Sequence, residues 1–554
     1  MSGPLNPLVR REFFGILRSP KAFGTLLALT VVFSLAVLMR WPADGTVDLS
    51  GVQSLEVFRV FGYGLLAGIV FLVPAFPATS IVNEKTNGTL ALLLNSPLTP
   101  LSIYFGKLAG ILLFAFLVLL SSLPAAAACY AMGGIDFFGG LGLLYLVLAL
   151  LIFQYATLAL FVSSFAQSAD AAVRLTYTIV LSLLLLTLVP QAFFPGDQGS
   201  IGQAATWLSS LSPIPVMMQL MGHGSFSSRG LMETPSSTAF LFITIVSGFV
   251  FAATTISRLN YRIFDRSKSQ GVITDDLGLT SRIVRRLTYI VDPQRRKAGI
   301  PWFLNPVMVK EFRCRKFGRS QWLFRLVSIC AVISVVLIFA AATSVTAWGV
   351  EAIGGLLVVL QVILVVVMTP SLASGLISGE RDGGGWELLR LTPLSAAKIV
   401  RGKLLSVLWT LLLVLMATIP GYLVMIYIRP QMSYQVQIVL ICLAWTVIYT
   451  LAISSAMGSL FRSTAVATSV TYVTVMLLFL APMLVWFGRD APFGHSVVEN
   501  ALSVTPVGAA LSIIETPGFE DYNLLPTAWI VAGTVSLFMF SLFGFQVWRL
   551  TRPV

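Results

Sequence analysis

The feature that most constrains this chain is a series of apolar runs, each long enough to cross a lipid bilayer. One helical crossing needs about 20 apolar residues. With 57% hydrophobic and 11% charged residues, the composition also excludes an ordinary soluble protein. We therefore predict an all-α polytopic membrane protein with about twelve transmembrane helices. The apolar runs lie at 22–40, 58–82, 103–131, 139–164, 173–194, 238–258, 322–345, 352–378, 401–428, 435–460, 466–487 and 526–548.

The distribution of Lys and Arg predicts which side of the membrane each loop occupies. If both termini and the polar segment 259–321 are cytoplasmic, 31 of the 36 basic residues lie on the cytoplasmic side. The opposite orientation would place those 31 residues outside, so we reject it. Topology thereby accounts for most of the net charge of +13, and nucleic-acid binding is not needed to explain it. We expect a protein of the cytoplasmic (inner) membrane that contacts membrane lipids and no nucleic acid.

The two parts of the chain resemble each other, which predicts an internal duplication. The segment NPLVRREF, which begins at Asn6, matches NPVMVKEF, which begins at Asn305. Residues 84–108 match residues 380–404 without a gap. Each half has six spans, so both halves have the same orientation and form parallel repeats, with the expected transport path at their seam. The predicted parts are a first half at 1–260, a cytoplasmic linker at 261–301 and a second half at 302–554.

A short basic helix precedes the first span of each half. Its apolar residues share one helical face, which is typical of an amphipathic interface helix that lies at the membrane surface. Its acidic residue falls on the apolar side, so we expect a partner for it, either a basic group of the neighbouring loop or a residue of the same helix. A water-exposed edge is the further alternative. The residues kept in the two helices, 5–19 and 303–319, are Asn6, Pro7, Glu12, Asn305, Pro306 and Glu311.

The best-matched segments are the first loop, 83–103, and the second loop, 379–399, each between the second and third spans of its half. A glycine permits a turn, a short helix follows, a proline ends it, and Thr99 or Ser395 caps the next span. We predict this helix over 89–95, with an exposed leucine run. A plain loop whose lysines anchor the spans is the alternative. The residues kept in and beside both loops are Glu84, Gly88, Leu92, Leu93, Pro97, Lys107, Glu380, Gly384, Leu388, Leu389, Pro393 and Lys403.

Two segments on the predicted outer side, 195–237 and 488–525, are rich in Gly, Pro, Ser and Thr and contain short apolar stretches. Helices that dip into the outer leaflet or lie on its surface fit this pattern, and an ordinary external loop fits nearly as well.

Several kinds of site are missing from the sequence. It has no G-x-x-x-x-G-K-[ST] phosphate loop and no Ser-His-Asp or H-E-x-x-H arrangement, and its four cysteines and two histidines are scattered. No ionisable residue lies near the middle of a predicted span, whereas ion-coupled carriers usually need one. We therefore expect no catalytic residue, metal or cofactor on this chain, and an energy source at the cytoplasmic face.

The first loop, in NEKTNGTLALLLNSPLTPLSIYFGK (83–107), resembles the cytoplasmic loop of ABC-2 type transporter permeases. Members commonly show an acidic-basic pair, then Gly-Thr-Leu-Glu-x-Leu-Leu, a Pro-Leu and a Gly-Lys that opens the third span. The first half has Ala91 where the family has Glu. The second half departs in another way, because Gly385-Trp386-Glu387 stands in place of Thr-Leu-Glu. The NPxxxKEF helix is also similar to the interface helix of the family.

This resemblance implies the permease of an ATP-driven exporter for an unidentified substrate, and not an enzyme. In this family two six-span halves work with two ATP-binding subunits, and here both halves lie in one chain. The two loops would be coupling helices that dock, with the interface helices, on two cytoplasmic ATPase subunits, which hold ATP and Mg. Leu92 and Leu388 would make the docking contacts, and the kept Glu and Lys residues would brace the loops. The alternatives are an ion-coupled secondary transporter with parallel repeats, and a non-transporting membrane scaffold or an intramembrane enzyme.

Overall fold

The computed structural model is helical in almost every element that it describes, and the chain divides into two compact units. The first unit is residues 1–270 with 490–492, and the second is residues 271–489 with 493–554. The structure describes residues 8–9, 11, 20–38, 52–133, 135–185, 187, 203, 207–222, 237–259, 304–314, 350–416, 418–487 and 494–551.

The first unit is built around the long apolar helix α7. Helices α3, α5, α8 and α10 all pack against it, so most of its side chains are buried. A π-helical turn, Phe137–Gly142, leads into α7. The described helices of this unit are α1 (Pro20–Leu38), α2 (Val52–Leu72), α3 (Ala75–Thr86), α4 (Thr89–Leu94), α5 (Pro100–Ser121), α6 (Leu123–Ala131), α7 (Leu143–Phe165), α8 (Ala169–Leu185), α9 (Pro213–Leu220) and α10 (Ser237–Arg258).

The second unit is built around α17, against which α12, α18, α20 and α21 pack. Gly458 lets α17 approach α12 closely, because a Cβ there would lie 2.2 Å from the carbonyl oxygen of Ser374. The described helices are α11 (Pro306–Cys314), α12 (Val350–Ala373), α13 (Gly375–Asp382), α14 (Gly385–Arg390), α15 (Ala396–Met416), α16 (Ile419–Ile428), α17 (Ser433–Leu460), α18 (Thr464–Phe487), α19 (His495–Leu502), α20 (Pro506–Ile513) and α21 (Thr527–Thr551).

Among the described residues, nine helical stretches are long and apolar enough to cross a membrane. Each overlaps one of the twelve predicted spans. The predicted spans 22–40 and 173–194 correspond to α1 and α8, whose described apolar parts are shorter, and 322–345 lies outside the described residues. Twelve spans in two parallel repeats therefore remain a prediction. The nine stretches are Ser54–Thr86, Pro100–Ala131, Phe137–Phe165, Thr238–Arg258, Gly354–Asp382, Ala396–Ile428, Pro430–Leu460, Thr464–Met483 and Thr527–Thr551.

The described part of the segment 488–525 is helical and sharply bent. Helices α19 and α20 meet at 112°, and together they have the length and apolar composition of a broken span or a re-entrant loop. In the first unit, α9 is the described helix of the segment 195–237. The described parts of both segments contain short helices, and the position of these segments relative to the membrane stays a prediction.

Candidate functional site

The first loop contains the predicted short helix, α4, held by a turn at each end. Gly88 has φ +76°, a left-handed conformation that reverses the chain after α3 and favours glycine. At the other end the Thr99 side chain accepts a hydrogen bond from the backbone N–H of Ser102 at 3.2 Å, and Pro100 takes the first position of α5. The prediction of a helix over 89–95 is confirmed at Thr89–Leu94, with Asn95 as its cap.

The second loop follows the same path. Gly384 has φ +70°, α14 again has six residues, and α14 and α15 begin 296 positions after α4 and α5. Ser395 takes the place of Thr99, and its carbonyl oxygen accepts from the backbone N–H groups of Lys398 and Ile399 at 2.9 and 3.1 Å. The correspondence between the two loop sequences is thus also a correspondence in local structure.

One side of each loop helix is anchored in the core of its unit. Leu90 of α4 packs with Ile81 and Tyr104. On α14 both Trp386 and Leu389 are buried, and the indole N–H of Trp386 donates to the carbonyl oxygen of Leu550 at 3.2 Å. Leu389, one of the residues kept in both loops, is therefore a core residue.

The opposite side of each helix presents one of the leucines predicted to make the docking contact. Leu92 is 71% exposed and Leu388 is 70% exposed. Leu93 is half-buried, and Pro97 and Pro393 are exposed. A large apolar side chain is therefore exposed at the same place in both loops.

A buried group of charges lies beneath the second loop, and we call Lys310, Glu311, Glu380 and Lys403 the second charge cluster. Lys403 is fully buried, with its Nζ 2.6 Å from Glu311 Oε1 and 3.2 Å from Glu380 Oε1. Lys310 also donates to Glu380. The cluster has two positive and two negative groups, so each buried charge has a partner of opposite sign. Glu311 thus pairs with a lysine at the start of the third predicted span of its half.

The first charge cluster, Arg11, Glu84 and Lys107, occupies the corresponding place in the first loop. Arg11 Nη2 lies 2.5 Å and Lys107 Nζ 3.5 Å from Glu84 Oε1. Glu84 also accepts from the Thr89 hydroxyl at the start of α4, and Lys107 donates to the Ser80 hydroxyl at 3.2 Å. Glu84 therefore ties the interface segment, α4 and α5 together.

The second interface helix, predicted over 303–319, is observed as α11 in its described part. The Asn305 side chain accepts from the backbone N–H of Val307 at 3.0 Å, and its amide donates to the carbonyl oxygen of Lys398 at 2.8 Å. Pro306 takes the first helical position. Gly402 permits the contact with α15, because a Cβ there would lie 2.7 Å from both Asn305 Oδ1 and Val307 Cβ.

In the first interface helix, Leu8 is buried and Arg11 is exposed. Asn6, Pro7 and Glu12 lie outside the described residues.

Three contributors to this site were missed by the sequence argument. Arg11 and Lys310 occupy corresponding positions in the two interface helices, and each pairs with the glutamate that opens its loop. Their shared position within the duplicated NPxxxKEF segment was the available signal. Trp386 was noted only as a departure from the family pattern, and nothing local predicted its bond to Leu550, 164 positions away.

The arrangement is suited to mechanical work more than to covalent chemistry. Within the described part of the chain, no group of three His, Cys, Asp or Glu side chains could hold a metal ion. Each loop instead carries an exposed leucine on a six-residue helix. Charged side chains beside that helix link the start of the third predicted span to the interface segment.

Comparison with known families supports the resemblance of the loop. Residues 43–255 match the model of a family described as ABC-2 family transporter protein. This stretch contains the first loop and most of the described helices of the first unit. A comparison with curated proteins found no match. With its many apolar helices the chain is a multi-pass membrane protein, and residues 43–255 are similar to the ABC-2 family of transporter permeases.

Proposed function

We propose that this permease forms the membrane part of an ATP-driven exporter in the cytoplasmic membrane, powered by separate ATP-binding subunits. One chain supplies two permease halves, 1–260 and 302–554, joined by the linker 261–301, and both termini are cytoplasmic. Each half receives one ATP-binding subunit on its loop and interface helix. ATP and Mg are bound by those subunits, and the permease itself has no catalytic role.

The observation that carries this proposal is the paired exposure of Leu92 and Leu388 on anchored helices. Apolar side chains that remain in solvent at corresponding places indicate a surface that a partner covers. A helix of six residues has no independent stability. The buried anchors and the turns at its ends are what hold such a helix in one position, ready for docking.

The charge clusters provide the route by which docking would move the spans. When ATP draws the two subunits together, each pulls its loop helix with it. Glu84 and Glu380 join the loops to Lys107 and Lys403, each the eighth residue of its helix, α5 or α15. Because Lys403 is buried and doubly paired, displacement of the second loop without α15 would break strong charge-assisted contacts, so loop and span move together.

The test is to co-express the chain with an ABC-type ATP-binding subunit encoded beside it and to measure the subunits that co-purify and their ATPase rate. The variants Leu92→Glu and Leu388→Glu should each remove one of two bound subunits, because a charge cannot enter an apolar cleft without a large desolvation cost. Leu92→Met and Leu388→Met keep an apolar side chain of similar volume and are the matched controls. Retention and stimulation that are unchanged in the double Glu variant would refute the proposal.

A further inference from the structure

The exposed faces of the two loop helices differ, although the helices are anchored in the same way. Position 91 in α4 is alanine, and the matching position in α14 is Glu387. Asn95, at the end of α4, corresponds to Leu391, which is 84% exposed. Around the shared leucine, the second loop therefore adds a well-exposed carboxylate and a second large apolar side chain, and Arg390, which is 24% exposed, stands where α4 has Leu94.

Glu387 is available to a partner. Its side chain is 73% exposed, and it forms an ion pair with Arg390, three residues further along, at 3.4 Å. An exposed pair of this kind contributes little and exchanges easily. A carboxylate can accept about four hydrogen bonds, so Glu387 can bind a donor on a docking protein without losing Arg390.

The face of α4 has the opposite character. Its six residues, TLALLL, include no ionisable side chain. Ala91 is half-buried, and it leaves room beside Leu92 for the wall of an apolar cleft. A basic group placed against this face would lose water without gaining a partner, which is unfavourable.

We infer that the second loop is built for an ATP-binding subunit whose cleft carries a basic group opposite Glu387 and an apolar depression for Leu388 and Leu391. The first loop fits a smaller, neutral cleft. This inference rests on the proposed function, because it requires ATP-binding subunits on both loops. It follows that the two docking sites are not interchangeable and that the two subunits present different surfaces to the permease.

The experiment exchanges the two faces in the full chain and uses the purified complex with its ATP-binding subunits. In the second loop, Glu387→Ala with Leu391→Asn reproduces the residues of the first loop. This variant should weaken retention of the subunit on the second loop about tenfold and leave retention of the subunit on the first loop unchanged. In the first loop, Ala91→Glu should weaken retention of the subunit on that loop about tenfold, because the cleft of this subunit offers no cation.

The salt dependence of subunit retention separates the contribution of the Glu387 charge from that of the apolar contact. Glu387→Gln should weaken the second site about threefold at low salt and have little effect at high salt, since exposed charges are screened. Glu520→Lys changes an exposed acid far from the loops and is the matched control.

The outcomes distinguish the inference from the proposed function. An unaltered chain that retains no ATP-binding subunit would refute both. A chain that retains two subunits, with unchanged affinity in both exchange variants, would refute the inference alone. Stronger binding to Ala91→Glu would also refute it, because both clefts would then be basic.

Discussion

Lys403 Nζ lies 2.6 Å from Glu311 Oε1, with the lysine fully buried and the glutamate 4% exposed. The two residues are 92 positions apart and join an interface helix to the start of a predicted span. A buried ion pair of this kind adds little net stability over an apolar pair, yet loss of one member leaves an uncompensated charge. The pair therefore fixes where α11 sits against α15.

The variant Lys403→Met should destabilise the second unit by about 3–5 kcal/mol, because Glu311 is left buried without its cation. The midpoint of thermal unfolding in detergent measures this loss. The double variant Lys403→Met with Glu311→Gln removes both charges and leaves Lys310 paired with Glu380. We expect it to recover most of the loss, and a double variant as unstable as the single one would contradict the charge argument.

Much of the loop could be predicted from local sequence. The left-handed glycine, the cap at Thr99 and the proline in the first turn of α5 each act over a few residues, so their residue types suffice to place α4. The expectation that Glu311 has a basic partner near the loop was also met, since a carboxylate on an apolar helix face requires one.

The contacts between distant segments could not be predicted in this way. Leu389 and Leu388 are neighbours of the same type, yet one is buried and the other exposed, because α14 turns only one face to α21 and α15. The Gly-Lys motif marks Gly402 in the sequence, but the need for its small size shows only where α11 packs across it. The sharp bend between α19 and α20 likewise depends on tertiary packing more than on propensity.

Two glycines, Gly384 in the second loop and Gly402 in α15, are needed for different reasons, and substitution separates them. Gly384→Ala places a side chain in the left-handed region but meets no atom within 4 Å, so it should cost about 1 kcal/mol from the backbone alone. Gly402→Ala should cost more, up to about 3 kcal/mol, because its Cβ overlaps Asn305 and Val307.

The rate of trypsin cleavage after exposed Lys398 reports the opening of this loop. A cost of 1 kcal/mol corresponds to about fivefold faster cleavage. Gly88→Ala is the matched variant in the first loop. It should lower stability by the same amount as Gly384→Ala, because both place a side chain in the left-handed region. Equal cleavage rates for Gly402→Ala and the unaltered chain would contradict the close packing of α11.

Matching tyrosines of the two units should make equal contributions to stability. The Tyr177 hydroxyl donates to the carbonyl oxygen of Phe71 at 2.5 Å, and the Tyr472 hydroxyl donates to that of Val367 at 2.9 Å. Removal of either hydroxyl, by Tyr177→Phe or Tyr472→Phe, should cost about 1 kcal/mol. The Tyr104 hydroxyl is buried and has no hydrogen-bond partner among the described residues, so Tyr104→Phe should cost nothing. A loss for Tyr104→Phe equal to the others would point to packing instead of hydrogen bonding.

Glu515, just after α20, has a left-handed backbone conformation. Its counterpart in the first unit is a glycine, which adopts that conformation without strain. Glu515 has φ +56°, whereas Gly222, at the corresponding place after α9, has φ +71°. Glu515→Gly should therefore raise the free energy of unfolding by about 1 kcal/mol, measured by thermal unfolding in detergent. Glu515→Ala is the control, because it loses the same 3.0 Å hydrogen bond from Gln435 but keeps the left-handed strain. If alanine stabilised the protein as much as glycine, the gain would come from removal of the carboxylate and not from relief of the backbone.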